Sequence, residues 1–247
     1  MSRQIEIESK FQVTPDVLSQ IERSATFVSD KSFRDRYFDT DDFMLMHQDW
    51  WLRERDGKWE LKCLLCMGGN TPSYEELTTV ETIIQTFRGD EKLAGNILQL
   101  VESDGATVLD YFPAGTFSCF CDMTTKRTKY CVKDDVCQDI CGDVIKVTID
   151  VDECVNNLDG QENESEREKY LIAEVETLVS TEEEVVQARN HVNKILSVIS
   201  GGQTGSVHGK MTWFLSKRHP HLNVMLQKKA TELQAAAAAA ESDAGAA

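Results

Sequence analysis

The sequence predicts an α+β fold built on one large antiparallel sheet. Short segments alternate polar and apolar residues at period two, the strand signature, and they recur along most of the chain. Helical periodicity is confined to a few stretches between them. Two alternating segments are joined by Asp56-Gly57, a dipeptide suited to the left-handed corners of a tight hairpin.

The alternating runs are approximately Ile5–Phe11, Phe33–Asp39, Trp50–Arg55, Lys58–Cys63, Ser73–Thr78, Phe117–Cys121, Thr125–Lys133, Val144–Asp152 and Tyr170–Leu178, which makes eight or nine strands. Thr14-Pro15 supplies an N-cap and a first helical residue for a helix reaching about Arg23. Ile and Leu spacing predicts helices over Thr79–Phe87 and Glu91–Val101. Ser180 with Glu183 forms a capping box ahead of Val185, Ala188, Val192, Ile195 and Ile199. A short helix is expected over His208–Arg218. The acidic stretches Asp134–Asp143 and Asn156–Glu168 read as loops, and the Ala-rich segment from about Ala230 to Ala247 as a low-complexity tail. No repeat or linker divides the chain, so a single domain over residues 1–218 is expected, followed by a helical or disordered tail over 219–247.

The 247 residues carry 26 basic and 42 acidic side chains, a net charge of −16. That balance excludes a broad nucleic-acid surface, which needs clustered Lys and Arg. Taken as a total it also disfavours an anionic ligand. No run approaches the roughly 20 apolar residues of a membrane span, and the charged N-terminus lacks a signal-peptide core. A cytoplasmic monomer is the expectation. In that setting the eight cysteines read as free thiols. Cys63 and Cys66 form a C-x-x-C with no second ligand pair at zinc-finger spacing.

The charges fall on one face of strand after strand. Ile5, Ile7 and Phe11 oppose Glu6, Glu8 and Lys10; Leu52 opposes Arg53 and Arg55; Trp59 and Leu61 oppose Lys58, Glu60 and Lys62. Arg127 and Lys129 share a face, as do Asp150 and Asp152, and Glu174 and Glu176. Two architectures fit. One is a sheet with one face on a core and the other in water. The other is a closed barrel with a polar, ligand-filled interior and helices over its apolar outside. In the barrel, the acids would offer oxygen ligands to a hard divalent cation and the arginines would fork onto phosphate oxygens.

Glu6-Ile7-Glu8-Ser9-Lys10 is an E-x-E-x-K motif. In order after it come Arg53-x-Arg55, Trp59-Glu60-Leu61-Lys62, Glu76 within Tyr-Glu-Glu-Leu-Thr, Lys126-Arg127, Asp150-x-Asp152 and Glu174-x-Glu176. Over about residues 1–215 this set resembles the CYTH, or triphosphate tunnel, superfamily. Phe33–Thr40 and Trp51-Leu52-Arg53-Glu54-Arg55 are most similar to its animal thiamine triphosphatase branch. The acidic, cysteine-bearing stretches and the tail depart from that pattern.

The resemblance implies a closed eight-stranded antiparallel β-barrel with surrounding helices. It also implies hydrolysis of thiamine triphosphate with magnesium, for which manganese would substitute. It further implies that Glu6, Glu8, Asp150, Glu174 and Glu176 bind metal, and that Lys10, Arg53, Arg55, Lys62, Arg127 and Lys210 bind triphosphate. Tyr37 and Lys62 would activate water, Glu76 would orient a cation or the water, and Trp51 would stack on the thiazolium ring. A lysine among other cations loses its proton more easily, which would suit Lys62 to proton transfer. Alternatives on the same fold are an inorganic triphosphatase, a nucleoside triphosphatase and an adenylate cyclase; a non-catalytic phosphate-binding barrel is a further one. In the tunnel the net −16 ceases to exclude an anion, because charges beyond about 8 Å are screened.

Overall fold

The computed structural model describes residues 5–68, 71–98, 106–142, 145–157, 168–202, 207–228 and 231–232. Its strands are β1 (Ile5–Gln12), β2 (Ala25–Asp39), β3 (Trp50–Arg55), β4 (Lys58–Gly68), β5 (Thr71–Leu77), β6 (Ser118–Val132), β7 (Thr148–Asn156) and β8 (Lys169–Val179). All pair antiparallel and close into a ring in the order β1-β5-β4-β3-β2-β6-β7-β8, with β8 returning to β1. The helices are α1 (Pro15–Ser24), α2 (Val80–Gly89), α3 (Glu91–Ala94), α4 (Asp134–Cys141), α5 (Glu182–Ile199) and α6 (Lys210–Arg218), with a further helical stretch over 220–228. The closed barrel is therefore the architecture, and the one-faced open sheet is not.

The expected punctuation is present. Thr14 accepts a hydrogen bond from the Val17 amide at 3.3 Å, with Pro15 behind it. Asp56 and Gly57 both take positive φ, 48° and 82°, as a two-residue hairpin corner requires.

Several elements differ from expectation for physical reasons. The runs at Phe117–Cys121 and Thr125–Lys133 are one strand, β6, because Cys121, Met123 and Thr125 continue its inward face through the apparent gap. Strand β2 starts at Ala25 rather than Phe33. Its first half pairs with β6 alone among the described residues and is largely exposed, so polar residues on both faces hide the alternation. The stretch Asp134–Cys141 is helix α4, not loop. Its acids face water while Cys137 is buried and Val136, Ile140 and Cys141 pack against the core. Helix α3 stops after four residues, before Gly95. Helix α5 is capped one residue later than expected, Glu184 accepting from the Thr181 and Ser180 amides at 3.0 Å each. Strand β7 runs Thr148–Asn156 in place of Val144–Asp152.

Helices seal the apolar outside. Ile5, Ile7, Ile149 and Val175 pack under α1 and α5, while Leu52, Trp59 and Leu61 pack under α2, α3 and Phe112. A third cluster lies at one end of the interior, where Trp213, Phe214 and Leu215 of α6 and Leu222 pack on Tyr37, Cys121 and Met123. The 220–228 stretch thus packs on the barrel. Most of the Ala-rich tail, residues 158–167 with Asn163, and the Cys66 side chain lie outside the described residues. Cys63, Cys119, Cys121, Cys131, Cys137 and Cys154 are free thiols, and burial pushes the Cys63 and Cys154 thiols up to about 12. No described helix is long and apolar enough to cross a membrane.

Candidate active site

Period-two alternation turns every second residue of each strand inward, and ring closure makes those residues one wall. The enclosed cavity measures about 640 Å³. Glu6, Glu8, Lys10, Tyr37, Trp51, Arg53, Arg55, Lys62, Glu76, Arg127, Glu174, Glu176 and Lys210 all line it. Of the residues to which the family resemblance gives a site role, only Asp150 does not, lying fully buried behind the arginine and lysine that face it.

The acids gather on β7, β8 and β1. Register sets Asp150 opposite Glu174, and Glu8 opposite Glu176. Each has a cationic partner. Lys62 Nζ lies 2.5 Å from Glu6 and 2.9 Å from Glu8, and Lys10 pairs with Glu8 and, at 3.6 Å, Glu174. Lys129 Nζ lies 2.9 Å from Glu176 and 3.2 Å from Asp150, which also pairs with Arg127. Burial works to raise the Glu8 carboxyl, yet Lys10 and Lys62 outweigh it and hold Glu8 at about 2. Glu6 goes the other way: burial, joined by Glu8, Glu76 and Glu176, raises it to about 8 against the pull of Lys62. Burial likewise raises Asp150 to about 6.

The cations come mainly from β3, β4 and β6. Arg127 forks onto Asp152, with two bonds of 2.7 Å. Arg55 forks onto Asp35 at 2.6 and 2.9 Å and lies 4.1 Å from the Phe33 ring centre. Arg53 bonds Glu60 at 2.6 Å and reaches Glu76 at 3.5 Å. Lys210, the first residue of α6, enters the lumen and meets Asp152 at 2.5 Å.

The sequence expectation for Lys62 is corrected here. Burial does lower its proton affinity, but Glu8, Glu6, Glu76 and Glu174 override it and raise the pKa well above a lysine's ordinary value. Its neighbours are acids, not cations. Burial also raises the Tyr37 phenol, so Tyr37 keeps its proton.

Four further residues belong to the site. Asp35 anchors Arg55 and shares the inward face of Tyr37, a period-two signal available in the sequence. Lys129 shares a face with Arg127 in the same way. Tyr74 lines the cavity with Lys62 Nζ 4.6 Å from its ring, and it sits two residues before Glu76. Asp49 accepts the Trp51 indole N–H at 2.7 Å; it lies in a turn, where alternation carries no signal.

The donor set fits a hard divalent cation. All five candidate ligands are carboxylates, and Asp150 is fully buried with Arg127 and Lys129 facing its oxygens. Among the described residues no three His, Cys, Asp or Glu side chains are grouped to hold a metal as they stand, each lumen acid leaning instead toward a lysine or arginine.

An antiparallel tunnel with a carboxylate wall facing a guanidinium and ammonium wall defines a class: barrels with a two-signed polar lumen. The pattern of the CYTH domain matches residues 4–199, and the chain belongs to that family. It is 29% identical to the thiamine-triphosphatase of Macaca fascicularis over 225 residues, covering 87% of this chain and 86% of that one. It is 27% identical to the Homo sapiens thiamine-triphosphatase over 224 residues, with the same coverage. Among solved structures, the PH1819 protein of Pyrococcus horikoshii OT3 aligns with a TM-score of 0.52 at 19% identity, over 86% of this chain and 99% of that one. That likeness supports the fold.

Proposed function

We propose that the protein is a magnesium-dependent triphosphatase that hydrolyses thiamine triphosphate to thiamine diphosphate and phosphate. The observation that carries this reading is the two-signed lumen: Arg53, Arg55, Arg127, Lys10, Lys62 and Lys210 line one 640 Å³ cavity with Glu6, Glu8, Glu174 and Glu176. A polyanion alone would be repelled by the acids, and a cation alone by the bases; a metal–triphosphate complex satisfies both. The curated thiamine-triphosphatases support the choice of ester.

Phosphoryl transfer to water runs through a loose transition state that needs positioning and charge neutralisation more than covalent chemistry. Arg53, Arg55 and Arg127 hold non-bridging oxygens with planar forks whose angles are preset by Asp35, Glu60 and Asp152. Lys62, kept protonated by its carboxylate neighbours, acts as a charged donor to phosphate or to the attacking water rather than as a base. Tyr37, still a phenol, donates a second hydrogen bond. Glu6, Glu8, Asp150, Glu174 and Glu176 would hold magnesium, which when bound neutralises charge on the phosphate oxygens. Trp51, partly exposed on the cavity wall, offers an indole face to the thiazolium.

Turnover of thiamine triphosphate, tripolyphosphate and ATP, measured side by side with magnesium and with chelator, tests this. The expected result is preference for the thiamine ester and loss of activity under chelator. A wide preference for tripolyphosphate or ATP, or undiminished turnover under chelator, overturns it.

A further inference from the structure

Asp49 lines the lumen where β3 begins, off the strands β1, β7 and β8 that carry the candidate metal ligands, so the metal–triphosphate reading gives it no role. Its backbone takes φ = 56°, a left-handed conformation that Asp tolerates better than most side chains. That turn closes the 3₁₀ segment Met46–Gln48, the Asp49 amide bonding the Met46 carbonyl at 3.0 Å. The carboxylate accepts the Trp51 indole N–H at 2.7 Å, and both side chains line the same cavity beside Tyr74. An indole held by its edge cannot turn freely, so its π face stays presented to the cavity. A carboxylate at the rim of an aromatic platform is suited to a flat cation, because the ring quadrupole and the acid attract it together.

We infer that Asp49 is a specificity-determining residue: it fixes the Trp51 platform and, through its charge, selects a cationic heteroaromatic group on the triphosphate ester. The same charge sets the direction of binding, since the phosphates are driven from Asp49 toward Arg53 and Arg55. The inference rests on the function proposed above and adds how the organic half of that substrate is recognised.

The test compares kcat/KM for thiamine triphosphate and tripolyphosphate, with Ki replacing KM where tripolyphosphate turns over poorly, in the wild type, Asp49→Asn and Trp51→Phe. Asparagine suits the left-handed turn and its amide oxygen still accepts the indole N–H, so its effect reads the lost charge. Asp49→Asn should lower the thiamine-to-tripolyphosphate ratio roughly tenfold, mainly through KM, and added salt should narrow the difference. Trp51→Phe keeps a stacking face without the N–H and should lower the ratio several-fold. In the unmodified protein, free thiamine, which has the cationic ring and no phosphate, should compete with substrate, more weakly as salt rises; this reading survives even if Asp49→Asn does not fold. A wild type that prefers the thiamine ester but loses both substrates equally in Asp49→Asn overturns the inference alone, as does absence of inhibition by millimolar thiamine. A wild type that prefers tripolyphosphate overturns the proposed function, and this inference with it.

Discussion

The two walls of the lumen carry opposite charge and are built differently. The acid wall, on β7, β8 and β1, uses short side chains that are nearly sealed: Asp150 and Asp152 are 0% exposed and Glu8 3%. Behind it lies the cluster under α1 and α5. The basic wall, on β3, β4 and β6, uses longer arms: the Lys129 side chain is 30% exposed and Arg55 20%, while Arg53 at 13% is about as sealed as Glu6 and Glu176 at 12% on the acid side. Exceptions sharpen the rule. Lys10 stands on the acid wall, and Asp35, Glu60 and Glu76 on the basic wall, each beside a charge of opposite sign. Lys62 reaches past β5 to Glu6 and Glu8 of β1, and Arg127 and Lys129 meet their register partners Asp152 and Asp150 on neighbouring β7, whereas among the described residues Arg53 and Arg55 pair with Glu60, Glu76 and Asp35. The difference teaches that the acids form a deeply buried template and the bases a set of longer arms held in place by their own acid partners. A metal–triphosphate complex would part the cross-wall pairs, giving the acids a metal and the bases phosphate.

The sharpest way to break this comparison is to remove a cross-wall arm. Arg127→Met leaves Asp150 and Asp152 buried without their main partner. Asp150 keeps Lys129 and Asp152 keeps Lys210, so the loss stays below the roughly 3–5 kcal/mol of a buried charge left alone, and about 2–3 kcal/mol is expected in urea unfolding of the metal-free protein. Arg53→Met removes an arm whose partners, Glu60 and Glu76, retain solvent, so about 1 kcal/mol is expected. Equal losses would show that the walls do not differ as described.

Neutralising the template tests the acid wall from the other side. The folded Asp150 carboxyl is raised from 3.8 to about 6, burial being the main cause. A raised acid stabilises the fold when protonated; as pH climbs from about 4 to 6 the unfolded chain gives up its proton first, and stability falls. Above pH 6, charged Asp150 therefore costs the metal-free fold about 1–3 kcal/mol. Asp150→Asn should recover that amount at pH 7 in chelator while lowering magnesium-supported turnover by roughly 10²-fold or more. Reduced stability at pH 7 would mean that the ion pairs with Arg127 and Lys129 outweigh burial.

Much of the site was legible because a strand has period two: once Glu6 and Glu8 share a face, so do Arg53 with Arg55 and Glu174 with Glu176, and a ring of such faces makes a lumen. What period two cannot express is contact across strands. Lys62 looked like a cation among cations because its partners, Glu6 and Glu8, lie more than 50 residues away in sequence. Asp49 sits in a turn, where no periodicity points inward. Helix α4 was hidden for a related reason, since eight residues are too few for its apolar spacing to stand out from its acids. Among the described residues the first half of β2 is defined by hydrogen bonds to β6 alone, and backbone pairing leaves no trace in side-chain pattern.

The smallest effect concerns what holds the basic arms besides their acid partners. Phe33 is 9% exposed, and the Arg55 and Arg127 guanidinium carbons lie 4.1 and 5.5 Å from its ring centre. Each guanidinium over an aromatic face gains about 0.5–1 kcal/mol beyond its ionic pairing. The ring thus steadies two forks from between them, one of which reaches the acid wall and one of which does not. Phe33→Leu keeps the apolar bulk and removes the π face, so unfolding should shift by about 1 kcal/mol. The two forks lose part of their presetting, and KM for tripolyphosphate, which has no organic group for Trp51, should rise about threefold to fivefold. An unchanged KM would assign the presetting of both arginines to Asp35 and Asp152, and the basic wall would then owe its order entirely to acids.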